Sequence, residues 1–132
     1  MKALIDTCVI LDVLTKREPF YSNSKRIIEY VAKNKIIGYV TSCSIRDIDY
    51  LIHKYNHSYE QTKTTICSII ELFNILDVSK EDVINALHSN INDFEDAVLV
   101  ETVRRHDIGT IITRNIDDFK NAPVQVLSPQ EI

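Results

Sequence analysis

The chain has 132 residues, 45% hydrophobic and 26% charged, with a net charge of −4 and only two glycines, Gly38 and Gly109. Glycines this far apart exclude the phosphate loop GxxxxGK[ST] and the dinucleotide fingerprint GxGxxG, and the acid excess argues against a broad basic face for duplex nucleic acid. The length suits one domain over residues 1–132.

No run approaches the ~20 apolar residues of a membrane span. The first apolar run, Ala3-Leu4-Ile5, stops at Asp6, too short for a signal peptide. A cytoplasmic protein without membrane contact is expected. Cys8, Cys43 and Cys67 form no CxxC pair and read as reduced, small core residues.

In chain order, residues 2–5 read as a short buried strand and 8–15 as a short helix broken at Glu18-Pro19. Ser22 or Ser24 is a candidate cap for a helix to about Lys33, with Ile27, Ile28 and Val31 on one face. Residues 36–41 form a second strand. A helix from Ser42 or Ser44 to about Tyr55 points Ile45, Ile48, Leu51, Ile52 and Tyr55 inward. Ser58 caps the next helix to about Phe73, and 74–78 is a third strand. Ser79 with Asp82 resembles a capping box. Asp93 opens a helix ending near Arg105, where Arg104, Arg105 and His106 suit the helix dipole. Residues 109–113 and 125–127 supply a fourth strand and a candidate fifth. Strands alternating with helices imply an α/β fold with a parallel sheet and helices on both faces. Its functional crevice should lie outside the carboxyl ends of the strands.

Acidic and hydroxyl groups gather at those ends. The first strand runs into Asp6-Thr7, the second into Thr41-Ser42 with Asp47 soon after, and the fourth into Thr113-Arg114-Asn115 with Asp117-Asp118. Asp6 fits an N-cap as well as a buried site acid. Asp96 takes the first slot of a helical stripe continued by Leu99, Val100 and Val103, although acids in a first helical turn also suit the dipole. Asp47 shares a stripe with Ile48, Leu51 and Tyr55. Three carboxylates converging in one crevice would raise one another's pKa. A Mg²⁺ or Mn²⁺ ion with oxygen ligands and retained water relieves that conflict and supports phosphodiester hydrolysis. Tyr50, Tyr55 and Tyr59 are read first as packing residues and second as base-stacking ones. A metal role for His53 and His57 is disfavoured because no HExxH pattern accompanies them.

Leu4-Ile5-Asp6-Thr7-Cys8-Val9-Ile10-Leu11-Asp12-Val13-Leu14 resembles the opening motif of PIN-domain ribonucleases, and Arg17-Glu18-Pro19-Phe20 a segment of one bacterial branch. Thr41-Ser42 through Asp47-Ile48, Phe94-Glu95-Asp96-Ala97, and Ile111-Ile112-Thr113-Arg114-Asn115 with Asp118-Phe119 resemble the second, third and fourth motifs. The resemblance spans nearly the whole chain in order. It implies a three-layer α/β/α PIN-like fold around a central, mostly parallel sheet of four or five strands. It also implies Mg²⁺- or Mn²⁺-dependent endonucleolytic cleavage of single-stranded RNA. Many short members are VapC-type toxins of type II toxin–antitoxin pairs, which implies a small antitoxin partner and a homodimer. Carried over residue by residue, Asp6, Asp47 and Asp96 are the catalytic acids and metal ligands. Asn115, Asp118, Thr7 and Thr113 are further ligands or supports, with Ser42 as another supporting hydroxyl. Arg114 is a candidate phosphate contact, with a solvent-facing arginine as the alternative.

Three positions depart from the family pattern. Cys8 follows Thr7 where asparagine is frequent, Asp47 stands where glutamate is usual, and Asn115 stands where the fourth motif usually has an acid. Asn115 keeps open a catalytically weakened nucleic-acid-binding or protein-interaction module. A haloacid-dehalogenase-like phosphatase also begins with a strand ending in aspartate, but needs a second aspartate where Cys8 stands.

Overall fold

A computed structural model describes residues 1–132. The strands are β1 (Lys2–Ile5), β2 (Ile37–Thr41), β3 (Asn74–Leu76), β4 (Thr110–Ile112) and β5 (Gln125–Leu127). The helices are α1 (Thr7–Leu14), α2 (Tyr21–Ala32), α3 (Ser42–Asn56), α4 (Tyr59–Leu72), α5 (Lys80–Leu87) and α6 (Phe94–Arg105). Short 3-10 turns follow at Ile116–Phe119 and Pro129–Glu131. No helix is long and apolar enough to cross a membrane.

All five strands are parallel, in the order β3-β2-β1-β4-β5. Strand alternation divides the core in two. Ala3 and Ile5 of β1 and Ile112 of β4 pack with Val9, Ile27, Val31, Ile48, Ile52, Ile69 and Phe73 from α1 to α4. Leu4 and Ile111 point the other way, onto Ala86 of α5 and Ala97, Leu99, Val100 and Val103 of α6. Each fully buried Leu, Ile or Val contributes about 1.5–3 kcal/mol of hydrophobic stabilisation. The β1 side chains serve both layers, which is why this strand is apolar without alternation.

Strand order reverses between β1 and β4. In an open parallel sheet this switch point leaves a crevice at the carboxyl ends of the two strands. Asp6 directly follows β1 and Thr113 directly follows β4.

Several local expectations are corrected. Neither Ser22 nor Ser24 caps α2: Phe20 holds the cap position without a side-chain bond, and Ser24 is fully buried. The buried stripe of α3 is Ser44, Ile48 and Ile52. Leu51 and Tyr55 lie outside it, 40% and 64% exposed, because a stripe of every fourth residue leaves them on the helix flank. Tyr50 and Tyr59 are exposed too, with Tyr59 stacked 4.1 Å from the His53 ring. All three thiols are free, but Cys43 and Cys67 are exposed surface residues, and only Cys8 is partly buried.

Gly38 sits where β2 passes under α2 and α4. A Cβ there would stand 2.8 Å from Phe73 Cδ1 and 2.9 Å from Val31 Cγ1, whereas one at Gly109 meets nothing within 4 Å. Gly38→Ala is expected to cost about 1–3 kcal/mol by overpacking, and Gly109→Ala no more than ~0.5 kcal/mol. Urea denaturation of the two variants checks the contrast.

Candidate active site

The crevice beyond β1 and β4 opens into a cavity of ≈ 800 Å³ lined by Asp6 and Thr7, by Thr41, Ser44 and Asp47 at the start of α3, and by Phe94, Glu95 and Asp96 at the start of α6. Two of the expected acids, Asp6 and Asp96, thus face one space from opposite layers, with Asp47 on its wall.

Asp6 is both cap and site residue. Its Oδ1 accepts from the Thr7 amide at 2.8 Å, closing the start of α1. Its Oδ2 accepts from the Thr113 hydroxyl at 2.7 Å. Thr113 is fully buried, and its oxygen also accepts from the Asn115 amide at 3.0 Å. The backbone joins in, because the Asp6 amide donates to the Ile112 carbonyl at 3.0 Å. The Cys8 thiol lies 3.6 Å from both Asp6 Oδ2 and Thr113 Oγ1. Burial first, and then the Asp6 charge, push this thiol above its ordinary pKa, so it serves as a neutral donor.

Asp96 stands in the first turn of α6, its amide held by the cap residue Asp93 at 3.0 Å. Desolvation, then the charges of Asp93, Asp6, Asp118 and Glu95, raise its pKa to about 7. The helix dipole favours the ionised form here, yet burial and four nearby carboxylates outweigh it.

The upward shift has a consequence for stability. Between about pH 4 and pH 7 the folded chain holds a proton on Asp96 that the unfolded chain has lost. The contribution is therefore present below the ordinary aspartate range and is lost as pH rises through 7. Solvent screening at this half-buried position reduces it to about 1 kcal/mol. Chemical denaturation in EDTA should show this fall with pH, and Asp96→Asn should remove it.

The other expected site residues divide. Asp118 is exposed but acts on Asp96 through its charge. Asn115 is exposed at the head of the Ile116–Phe119 turn. Asp47, expected on the core-facing stripe with Ile48, is exposed, because the buried stripe of α3 runs through Ser44 and Ile48 beside it. Ser42 is exposed and does not line the cavity; the supporting hydroxyls there are Thr41 and Ser44, 2.9 Å apart.

Arg114 requires a larger correction. Its Nε and Nη2 donate to the two carboxylate oxygens of Asp12 at 2.6 and 3.0 Å, and its guanidinium lies 4.0 Å from the Phe20 ring centroid. It is committed to an internal partner rather than presented to a phosphate. Asp12 is fully buried and also accepts from Ser24 Oγ at 3.1 Å. Sequence reasoning missed Asp12, although its place three residues after Val9 puts an acid on the buried face of α1. Asp82, expected as a capping-box residue, is also buried outside the crevice and takes 2.9 and 3.0 Å bonds from Arg105.

No three His, Cys, Asp or Glu side chains stand close enough to enclose a metal ion by themselves. Mg²⁺ does not require such a cage: it keeps several waters and is held through one or two carboxylates. Asp6 and Asp96 are hard oxygen donors, and the negative charge that raises Asp96 is relieved by a cation. The residues present therefore fit a hydrated divalent ion.

An open parallel α/β/α sheet with carboxylates at its switch point defines a class of sites suited to metal-assisted phosphoryl chemistry. The chain belongs to the PIN-domain family, whose model matches residues 2–117. None of the curated proteins matches the sequence. Solved structures with a similar fold include VapBC2 from Rickettsia felis bound to a promoter DNA fragment. That match has a TM-score of 0.72 and 19% identity, covering 97% of this chain and 98% of that one. A toxin–antitoxin complex from Klebsiella pneumoniae matches with a TM-score of 0.71 and 23% identity, covering 98% and 99%. VapC20 of Mycobacterium tuberculosis, described as a toxin that cleaves the sarcin–ricin loop, matches with a TM-score of 0.68 and 11% identity, covering 93% and 98%.

Proposed function

We propose that this chain is a cytoplasmic, divalent-metal-dependent endoribonuclease acting on single-stranded RNA, as the toxin of a toxin–antitoxin pair. The carrying observation is the meeting of Asp6 and Asp96 across the switch-point crevice, with Asp96 raised to about 7 by burial and neighbouring acids. In this reading residues 1–132 form one domain. Asp6 and Asp96 hold Mg²⁺ or Mn²⁺ directly, and Asp47 reaches it through water. Asn115 and Asp118 lie on the fourth-motif side of the site. The bound ion would lower the pKa of a water and stabilise charge developing on the phosphoryl oxygens. Thr113 and Thr7 fix the Asp6 carboxylate, leaving its remaining lone pairs to the crevice. The toxin assignment and a small antitoxin partner draw on the fold shared with toxin–antitoxin structures, and a homodimer draws on the PIN-domain resemblance alone.

Incubating the purified chain with an unstructured RNA and Mg²⁺ or Mn²⁺ tests the activity. Cleavage is expected, and both EDTA and Asp6→Ala should abolish it. Cleavage surviving both would overturn the metal-site reading. A second reading, RNA binding without hydrolysis, draws on the neutral, exposed Asn115 in the fourth motif. A gel shift without cleavage in either metal would favour it.

A further inference from the structure

We infer that Arg114 and Asp12 are positioning residues of the crevice: their ion pair, with Asp12 fully buried and Arg114 partly so, fixes the end of β4 so that Thr113 holds Asp6 in place. The inference rests on the reading of Asp6 as a site acid.

The connection is short and continuous. Asp12 lies on α1, whose cap is Asp6, and Arg114 directly follows Thr113, whose hydroxyl is bonded to Asp6 at 2.7 Å. The Asp12–Arg114 pair therefore ties the two segments that meet at Asp6, through a second contact between one and two helical turns away. The pair is two-pronged, which fixes orientation as well as distance. Ser24 of α2 adds a bond to Asp12, and Phe20 covers the guanidinium, so Arg114 is held before any ligand arrives. The fixed Arg114 in turn sets the backbone on both sides of it. Thr113 N donates to Leu127 O at 3.0 Å, and Asn115 N donates to Thr113 Oγ1 at 3.0 Å. Arg114 also lies close enough to Asp6 for their charges to interact. It moderates the negative field there, while Asp12 takes up most of its own charge.

A pair of this kind need not stabilise the fold. Replacing a buried ion pair with apolar residues of similar volume is often neutral or stabilising, whereas removing one partner is costly. That difference separates positioning from support. The triple variant Asp12→Leu, Ser24→Ala, Arg114→Met removes the pair and its satellite hydroxyl together, and Arg114→Lys keeps the charge without the fork.

The measurements are thermal melting, amide hydrogen exchange at Asn115 and Asp6 by NMR, and Mn²⁺ binding by calorimetry. The triple variant is expected to melt near the wild type, yet lose exchange protection at Asn115 by tenfold or more and bind Mn²⁺ at least tenfold more weakly. Arg114→Lys should recover part of both. A stable triple variant with wild-type protection at Asn115 overturns the inference. So does one with wild-type Mn²⁺ affinity. If the triple variant unfolds, Arg114→Lys decides: wild-type exchange and affinity there overturn the inference, and loss of both supports it. Should the wild type itself bind no Mn²⁺, the metal-site reading fails, and exchange at Asn115 still decides whether the pair fixes the end of β4.

Discussion

Asp96→Asn is expected to abolish metal-dependent RNA cleavage while making the metal-free protein more stable above neutral pH. Asparagine keeps the shape and an oxygen donor but removes the charge that would face the cation. Loss of that charge should cost about 4 kcal/mol of transition-state stabilisation, near 10³-fold in rate. In the metal-free chain the same substitution relieves repulsion from Asp93, Asp6, Asp118 and Glu95 and the desolvation of a carboxylate. A gain of about 1 kcal/mol at pH 8, vanishing below pH 4, follows. A residue that only capped α6 would behave otherwise, losing stability and leaving activity nearly intact. Rate and melting measurements on one preparation separate the two.

The largest stability effect is expected at Arg114. Arg114→Ala leaves Asp12, fully buried, with only the Ser24 hydroxyl as a side-chain partner. Stranding one member of a buried pair costs about 3–5 kcal/mol. For a chain of this length that is a fall in Tm of roughly 10–20 °C. The exposed Asn115 next door provides the control: Asn115→Ala should move stability by no more than ~0.5 kcal/mol. Had Arg114 been a solvent-facing phosphate contact, its removal would leave Tm unchanged and weaken RNA binding alone.

The sequence carries the architecture well where local chemistry and tertiary demand agree. β1, buried on both faces, must be apolar throughout, and its abrupt end at Asp6 marks both a helix cap and a strand end pointing at the crevice. The capping box of Ser79 and Asp82 forms as the spacing suggests, with both reciprocal bonds. Asp96 is legible because an acid in the first slot of an apolar stripe must sit at the edge of the core. Asp47 illustrates the limit of stripe reading: moving the inward face of α3 by one residue turns an acid on the core-facing stripe into an exposed one, and local sequence does not fix that rotation. The Asp12–Arg114 pair spans β1's helix and the end of β4, so no window of sequence contains both partners. Its one local trace is an acid in a helix whose neighbours are nearly all apolar.

The central claim is that Asp6 and Asp96 together hold a divalent cation, and Mn²⁺ binding by calorimetry in buffers of different ionisation enthalpy tests it most directly. With Asp96 titrating at about 7, a cation that ligates it must displace its proton. Binding should release about 0.9 proton at pH 6 and nearly none at pH 8.5. Asp96→Asn should abolish the release and weaken binding, and Asp6→Ala should weaken binding as well. No Mn²⁺ binding at either pH, or binding with the same proton count in Asp96→Asn, would contradict the claim.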